Sequence, residues 1–389
     1  MAYATDPVAL LQALIRCPSV TPADEGALGV LEDALRPMGF ACERMPFTHP
    51  NTPDVDNFYA RLGDDGPLLC FAGHTDVVPP GDAAAWSHPP FAADIVPSAG
   101  GDVMIGRGAV DMKGAIAAFA AACGRYLEEK GPPQDGSIGF IITGDEEGPA
   151  HNGTKRMLTT LAERGEALAA CIVGEPTNPN VLGEMLKIGR RGSLSGLLRV
   201  DGVQGHVAYP AQARNPIHPL VRMLNEITVE PLDEGSEHFQ PTSLQLTSVD
   251  VGNPTTNLIP ASATARFNVR FNDLHTSGDV EAWVRQRLDR AEYPYDLEVT
   301  VSGESFLTPP GKLSDLLAAA AKAETNRDPE LSTTGGTSDA RFIKDYCPVV
   351  EFGLISEWAH KVDEQVRLDE LEGLTRIYRR FLDTWFGRG

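Results

Sequence analysis

The sequence lacks the features that mark several protein classes. Its six cysteines, at positions 17, 42, 70, 123, 171 and 347, are scattered and form no C-x-x-C pair. That spacing argues against both a thiolate metal site and a disulfide frame. The thiols read as reduced core residues of a cytoplasmic protein. No apolar run approaches the length of a membrane span. The opening residues, MAYATDPVALLQALIRCPSV, lack the basic start and long apolar core of a signal peptide. Basic residues are scarce as well: 33 Lys and Arg stand against 54 Asp and Glu, a formal net charge of −21. A field of that sign repels nucleic acid and anionic membrane, so neither is expected as a partner. An anionic small molecule would need arginines placed locally. Internal repeats and low-complexity tracts are missing too.

What is present is the composition of a globular protein, 42% hydrophobic and 22% charged. At 389 residues the chain is too long for one ordinary core, which favours two domains. Asp6 caps an amphipathic helix over 7–15. Thr21-Pro-Ala-Asp-Glu25 opens a second helix that ends near Gly39. Residues 40–46 and 57–62 alternate like edge strands, and the apolar run 68–73 reads as a buried strand. Residues 79–101 form a loop rich in Pro and Gly, long enough to suspect function. The turn 106–114 leads into an Ala-rich helix. Strands follow at 137–143 and 171–173, separated by a helix over 154–164.

From about 193 to 302 the order changes to strand (193–200), helix (216–227), strand (243–250), strand (263–271), helix (277–290) and strand (296–302). That β-α-β-β-α-β order is the ferredoxin-like arrangement, inserted into the first domain. The first domain then resumes with helices over 314–325 and from 335–339, a strand at 348–354, and a closing helix over 369–385. The fold class is therefore α/β, with a mostly parallel central sheet and an inserted α+β domain. The division is 1–190, 191–303 and 304–389.

The polar residues fall in a pattern. His74 with Asp76, Glu146 with Glu147, and Glu175 each follow a predicted strand, and His360 lies beyond another. Asp111 sits in a turn just before a helix. In open α/β sheets, ligands bind outside the carboxyl ends of the strands, so these side chains converge on one rim. His74 and Asp76, two positions apart at the strand's C-terminal end, share a face, and the carboxylate can orient the imidazole. Imidazole and carboxylate without thiolate suit zinc, with manganese or cobalt as substitutes. Two His and three carboxylates exceed one tetrahedral ion. They suit two ions about 3.5–4 Å apart that share a carboxylate.

These residues resemble the co-catalytic zinc aminoacylase and carboxypeptidase family. The matching segments are GHTDVVPPGD (73–82), GRGAVDMKG (106–114), TGDEEG (143–148), GEPT (174–177), GRRGS (189–193), QGHVAYP (204–210), NPIHPL (215–220), TTNLIPASA (255–263), FNVRF (267–271), GGTSDARF (335–342) and HKVDE (360–364). They run over almost the whole chain. GRRGS, GHVAYP and NPIHP look most like the branch that removes succinyl groups from diamino acids.

The resemblance implies a zinc-peptidase-like catalytic domain and roles for named residues. His74 and Glu175 would hold one zinc, and Glu147 and His360 the other, with Asp111 bridging and the peptide after it cis. Asp76 would orient His74, and Glu146 would be the general base. The inserted domain would make a homodimer, with His206 reaching the partner's active site to hold the oxyanion. Arg190, Arg191, Asn257 and Arg270 would bind the carboxylates of an N-succinylated diamino acid. Gly336 and Thr337, placed at a helix start, would offer backbone N–H groups to another carboxylate. Relatives carry Asn where this chain has Ser356, followed by Glu357 and Trp358. That departure bears on the acyl group and amine handled, and a related N-acyl-amino-acid deacylase is the alternative.

Overall fold

The computed structural model describes residues 5–64 and 66–387. Its elements run α1 (Pro7–Ile15), α2 (Ala27–Leu35), β1 (Ala41–Arg44), β2 (Phe47–His49), β3 (Thr52–Val55), β4 (Phe58–Leu62), β5 (Leu68–His74), β6 (Asp94–Val96) and β7 (Val103–Ile105). Next come α3 (Lys113–Lys130), β8 (Ser137–Thr143), α4 (Thr154–Glu163), β9 (Leu168–Val173) and β10 (Met185–Lys187). The middle of the chain holds β11 (Gly189–Arg190), β12 (Gly192–Asp201), β13 (Gly205–His206), α5 (Ile217–Thr228), β14 (Ser243–Asp250), β15 (Leu258–Ile259), β16 (Ser262–Phe271), α6 (Ser277–Asp289), β17 (Asp296–Gly303) and β18 (Phe306–Leu307). The last part holds α7 (Lys312–Thr325), β19 (Glu330–Ser332), α8 (Ala340–Ile343), β20 (Val349–Glu351), β21 (Gln365–Arg367) and α9 (Leu368–Phe386).

Two compact units result. The larger comprises the chain up to Ile188, Thr308–Ser332 and the chain from Ser338 on; the smaller comprises Gly189–Leu307 and Thr333–Thr337. The sequence alone leaves 333–337 with the larger unit. Two contacts explain its allegiance: the Thr333 hydroxyl donates to the His238 carbonyl, and Arg190 Nη1 lies 2.5 Å from where a Cβ on Gly335 would stand.

The larger unit is built on an eight-stranded sheet in the order β1-β4-β8-β5-β9-β20-β10-β19. Strands β8, β5, β9 and β20 are mutually parallel; β4 runs antiparallel to β1 and β8, and β10 runs antiparallel to β20 but parallel to β19. β5 and β8 are buried at every residue, the pattern of a strand covered on both faces. The Ala-rich α3 packs on α1, α9 and β5. Phe71, Phe119, Phe140 and Tyr378 fill the space between them; Phe71 and Phe119 stack at 4.5 Å, and the Tyr378 ring meets both edge-on. Each such side chain contributes roughly 1.5–3 kcal/mol through burial. α1 starts where the sequence predicts: Asp6 accepts from Val8 N (2.9 Å) and Ala9 N (3.2 Å). Among the described residues no helix is long and apolar enough to cross a membrane.

The smaller unit is a four-stranded antiparallel sheet ordered β14-β16-β12-β17, the ferredoxin-like order. Leu194, Leu198 and Val200 of β12 alternate inward with Phe267, Val269 and Phe271 of β16. Against them pack Leu220, Met223 and Ile227 of α5 and Val280, Val284 and Leu288 of α6.

Candidate active site

The registers of the parallel strands bring their carboxyl ends level. His74 at the end of β5 pairs with Thr143 at the end of β8, and Ala72 pairs with Val173 at the end of β9. Gly144 and Gly174 therefore begin two turns on one rim, and these turns carry Glu146-Glu147 and Glu175. β20 ends beside them. A Cβ on Gly353 would lie 2.4 Å from the Gly174 and Glu175 carbonyl oxygens, so only glycine permits this backbone approach.

Six side chains meet there: two triads share Asp111, and His74, Glu146 and Glu147 form a third close group. His74 Nε2 lies 3.2 Å from Asp111 Oδ1 and 3.9 Å from Glu175 Oε1. His360 Nε2 lies 3.2 Å from Asp111 Oδ2 and 2.8 Å from Glu147 Oε1. The ligand atoms of His74, Asp111 and Glu175 all fall within 4.8 Å of one another, as do those of Asp111, Glu147 and His360. Asp111 belongs to both sets through different oxygens. The Asp111–Met112 peptide is cis. Two imidazoles and three carboxylates, with one carboxylate shared, fit a pair of divalent ions in oxygen and nitrogen coordination.

Electrostatics follow from this crowding. Loss of water pushes the Glu146 carboxyl well above the usual carboxylate range, and the charges of Glu175 and Asp339 add to that against the pull of His74. Burial opposes charge on Asp111, but hydrogen bonds from His360 and His74 hold its carboxyl below the usual range. The Asp111 and Glu147 hydrogen bonds raise His360 to about 10. Metal binding at these residues requires both imidazoles in the neutral form, so it releases any protons they carry.

Asp76 acts differently from the strand-face expectation. β5 ends at His74, so alternation stops before Asp76. His74 Nδ1 is oriented by the Asp76 carbonyl oxygen at 2.8 Å, whereas Asp76 Oδ1 lies 3.7 Å away. The Asp76 carboxylate instead accepts from Glu146 N (3.2 Å), Glu147 N (3.0 Å) and the Thr21 hydroxyl (2.6 Å). One residue thereby sets both the imidazole and the acidic turn. His360 is likewise not delivered by a strand end. It sits nine residues beyond β20 with φ 62°, in a turn where Asp363 has φ 57°. Left-handed non-glycine residues cost on the order of 1–3 kcal/mol and cluster at functional sites.

The sequence gives no sign of what holds this turn. Glu364 is fully buried and accepts from Gly108 N (3.0 Å), Val110 N (2.9 Å), Asp111 N (3.1 Å) and Arg107 Nη1 (2.7 Å). Arg107 in turn donates to the Lys361 carbonyl at 3.2 Å. Lys113 is also buried; its ammonium donates to the Leu14 and Cys17 carbonyls and ties α1 to the Asp111 turn. A buried charge carries no periodic signal. Only its place inside the GRGAVDMKG and HKVDE segments could have marked it.

The remaining predicted residues belong to the smaller unit. Arg190 is buried against Gly335. Arg191 Nε is buried without a hydrogen-bond partner, and burial together with the nearby Arg270 guanidinium lowers the Arg191 pKa. Arg270 Nε donates to Asn268 Oδ1 at 3.0 Å. Asn257 and His206 are exposed, with His206 Nδ1 accepting from Ala208 N at 3.0 Å. Gly336 and Thr337 do not start a helix: α8 begins at Ala340 and spans one turn. The Ser338 hydroxyl donates to Glu351 (2.6 Å) and accepts from Ala340 N (3.3 Å), the first residue of that helix.

The profile of peptidase family M20/M25/M40 matches residues 70–384. The chain belongs to that family. Among M20/M25/M40 relatives, a succinyl-diaminopimelate desuccinylase of Rhodospirillum centenum is 58% identical over 383 residues, 98% of each chain. Another, from Methylobacterium nodulans, is 55% identical over 390 residues, covering 99% of this chain and 98% of that one. The fold is shared with an M20 family metallo-carboxypeptidase from Sulfolobus solfataricus, TM-score 0.77 at 16% identity, over 98% of this chain and 99% of that one.

Proposed function

We propose that this chain hydrolyses the amide of N-succinyl-LL-2,6-diaminoheptanedioate, giving succinate and LL-2,6-diaminopimelate. The observation that carries the reading is the pair of triads sharing Asp111, with Glu146 beside them, in a chain similar over its full length to desuccinylases. His74, Glu175 and Asp111 would hold one ion, and Glu147, His360 and Asp111 the other. Zinc suits these donors, and cobalt or manganese could substitute. Two bound divalent ions supply a polarised amide carbonyl and a water acidified toward neutral pH.

The chain's own residues do the rest. Glu146 takes a proton from water as the remaining hydroxyl adds to the acyl carbon. The C–N bond then breaks, and the same carboxyl delivers the proton to the leaving amine. Its raised proton affinity suits both halves of that task. In the smaller unit, Arg191, whose buried Nε has no hydrogen-bond partner among the described residues, stands near Arg270 and would be relieved by a carboxylate, which guanidinium grips through parallel hydrogen bonds. Arg190 and Asn257 complete that set. Gly336 and Thr337 offer loop N–H groups in place of helical ones. His206, exposed at its strand, would act on the partner's site in a homodimer. The cytoplasm is the expected compartment, since all six cysteines are free thiols.

One observation favours a second reading, a related N-acyl-amino-acid deacylase. Glu357 and Trp358, which follow Ser356 in the chain, line a cavity of about 470 Å³ in the larger unit. Turnover of the zinc-loaded protein on succinylated and acetylated diamino acids separates the two. The proposal expects the succinylated compound to give the higher kcat/KM; preference for the acetylated one would overturn it.

A further inference from the structure

Glu146 and Glu147 ride on an irregular excursion, residues 144–153, that leaves β8 and returns at α4. Nothing periodic holds such a segment, yet it must present a proton acceptor and a metal ligand in fixed places. Asp76 secures its tip through Glu146 N and Glu147 N. Its two ends are secured by a different residue, which lies before the region matched by the family profile.

That residue is Asn57, fully buried just ahead of β4. β4 pairs antiparallel with β8, Phe58 opposite Ile142, which brings Asn57 alongside Thr143. Asn57 Oδ1 accepts from the Thr143 hydroxyl at 2.7 Å, at the start of the excursion. Asn57 Nδ2 donates to the Asn152 carbonyl at 2.8 Å, at its end. The same Nδ2 reaches the Met45 carbonyl at 3.1 Å. The closure has an inner ring as well. Thr143 Oγ1 accepts from Asp145 N at 3.1 Å, and Asp145 Oδ2 accepts from Asn152 N at 2.9 Å. Thr143, Asp145 and Asn152 are all buried. A Cβ on Gly153 would lie 2.5 Å from Thr143 Oγ1, so the backbone closes directly onto that hydroxyl.

We infer that Asn57 is a positioning residue for hydrolysis: its carboxamide clamps both ends of the segment that carries Glu146 and Glu147. The chemistry singles out an amide. One end demands an acceptor and the other a donor, and a carboxamide presents both in one plane. Aspartate would set an oxygen against the Asn152 and Met45 carbonyls, and leucine would orphan the buried groups at both ends. Partners that orient metal ligands are worth about 10–100-fold in metal affinity or activity. Of the five ligands only Glu147 lies on the clamped segment, so loosening the clamp acts on one ion and spares the other.

The inference rests on the hydrolase reading, and the test separates the two. Asn57→Leu, Thr143→Val and Thr143→Ser are made in the full chain. Each is titrated with zinc against a chromophoric chelator, and kcat and KM are measured on the succinylated diamino acid. Asn57→Leu and Thr143→Val are expected to weaken one of the two zinc equivalents by roughly 10–100-fold and leave the other near wild type. They should lower kcat while KM changes little, and Thr143→Ser should recover both losses. Equal weakening of both equivalents, or wild-type affinity and kcat in folded Asn57→Leu, overturns the positioning role. Should Asn57→Leu not fold, Thr143→Val decides alone, because it removes a single hydroxyl at near-constant volume. A wild-type chain that binds two zincs but leaves the substrate intact sinks the hydrolase reading, while the zinc titrations still judge the clamp.

Discussion

Arg107 and Glu364 form a fully buried ion pair, Nη1 to Oε2 2.7 Å, that joins the segment carrying Asp111 to the turn carrying His360. Glu364 also accepts backbone N–H groups on both sides of the Asp111 turn, at Gly108, Val110 and Asp111 itself. Two of the proposed ligands, 249 positions apart in the chain, thus answer to one carboxylate. Glu364→Ala leaves a buried guanidinium and three N–H groups without their acceptor. The expected loss is about 3–5 kcal/mol of stability, read as a lower urea midpoint. An unchanged midpoint would show that water replaces the carboxylate without cost.

Glu146→Gln keeps the shape of the side chain and removes the proton acceptor. Turnover should fall by about 10²–10⁴-fold, the range for a positioned general base. Zinc content should remain at two per chain, because Glu146 belongs to neither triad that shares Asp111. Elemental analysis beside steady-state kinetics checks both halves. Full activity in this variant rules out Glu146 as the base.

Asp111 stands between both imidazoles, and Glu175 touches one. Asp111→Ala should therefore lower the affinity for both zinc equivalents. Glu175→Ala should weaken one alone. Titration against a chelator distinguishes the patterns, and identical behaviour of the two variants contradicts a shared carboxylate.

Glu370 gives a pH signature away from the metals. Burial pushes its carboxyl up to about 7 from 4.5, with Asp369 adding repulsion and Arg367 opposing it. Between those values the folded chain holds more protons than the unfolded one. Stability therefore declines as pH rises from about 4.5 to about 7, and the penalty persists above that. Glu370→Gln removes the penalty, so it should raise Tm at pH 8 and leave it nearly unchanged at pH 4. A gain of equal size at both pH values would mean that ionisation is not its source.

A chain carrying His206→Ala and a chain carrying Glu146→Ala should each be inactive alone. Mixed under conditions that exchange subunits, they should regain activity, because one hybrid site would hold both an intact His206 and an intact Glu146. Persistent inactivity in proven mixed dimers counts against a site shared between subunits.

Much of this architecture is legible from residue order alone. The run ending at His74 and the turns after 143 and 173 announce themselves, because buried parallel strands are apolar throughout and end abruptly at polar residues. The six elements between 192 and 303 follow from their hydrophobic periods. What escapes has physical causes. β2 and β3 are short and partly exposed, so they carry no apolar pattern. The placement of Asp76 depended on where β5 stops, and a shift of two positions turned its carboxylate to the Glu146 turn. Asn57, Arg107 and Glu364 are polar groups in the interior, and their value lies in partners up to 257 positions away, which no local pattern can express.

β20 sits inside the main sheet, between β9 and β10, although it is made long after both. During translation the emerging chain must leave the free side of β9 without its neighbour while residues 174–348 are added. At about 5–20 residues per second that interval lasts roughly ten to thirty seconds. For that time a buried-type strand shows unpaired N–H and C=O groups to other nascent chains, the situation that invites edge-to-edge association. Yield in the cell should therefore depend on chaperones that shield the half-made sheet, even though the finished molecule leaves that strand paired on both sides.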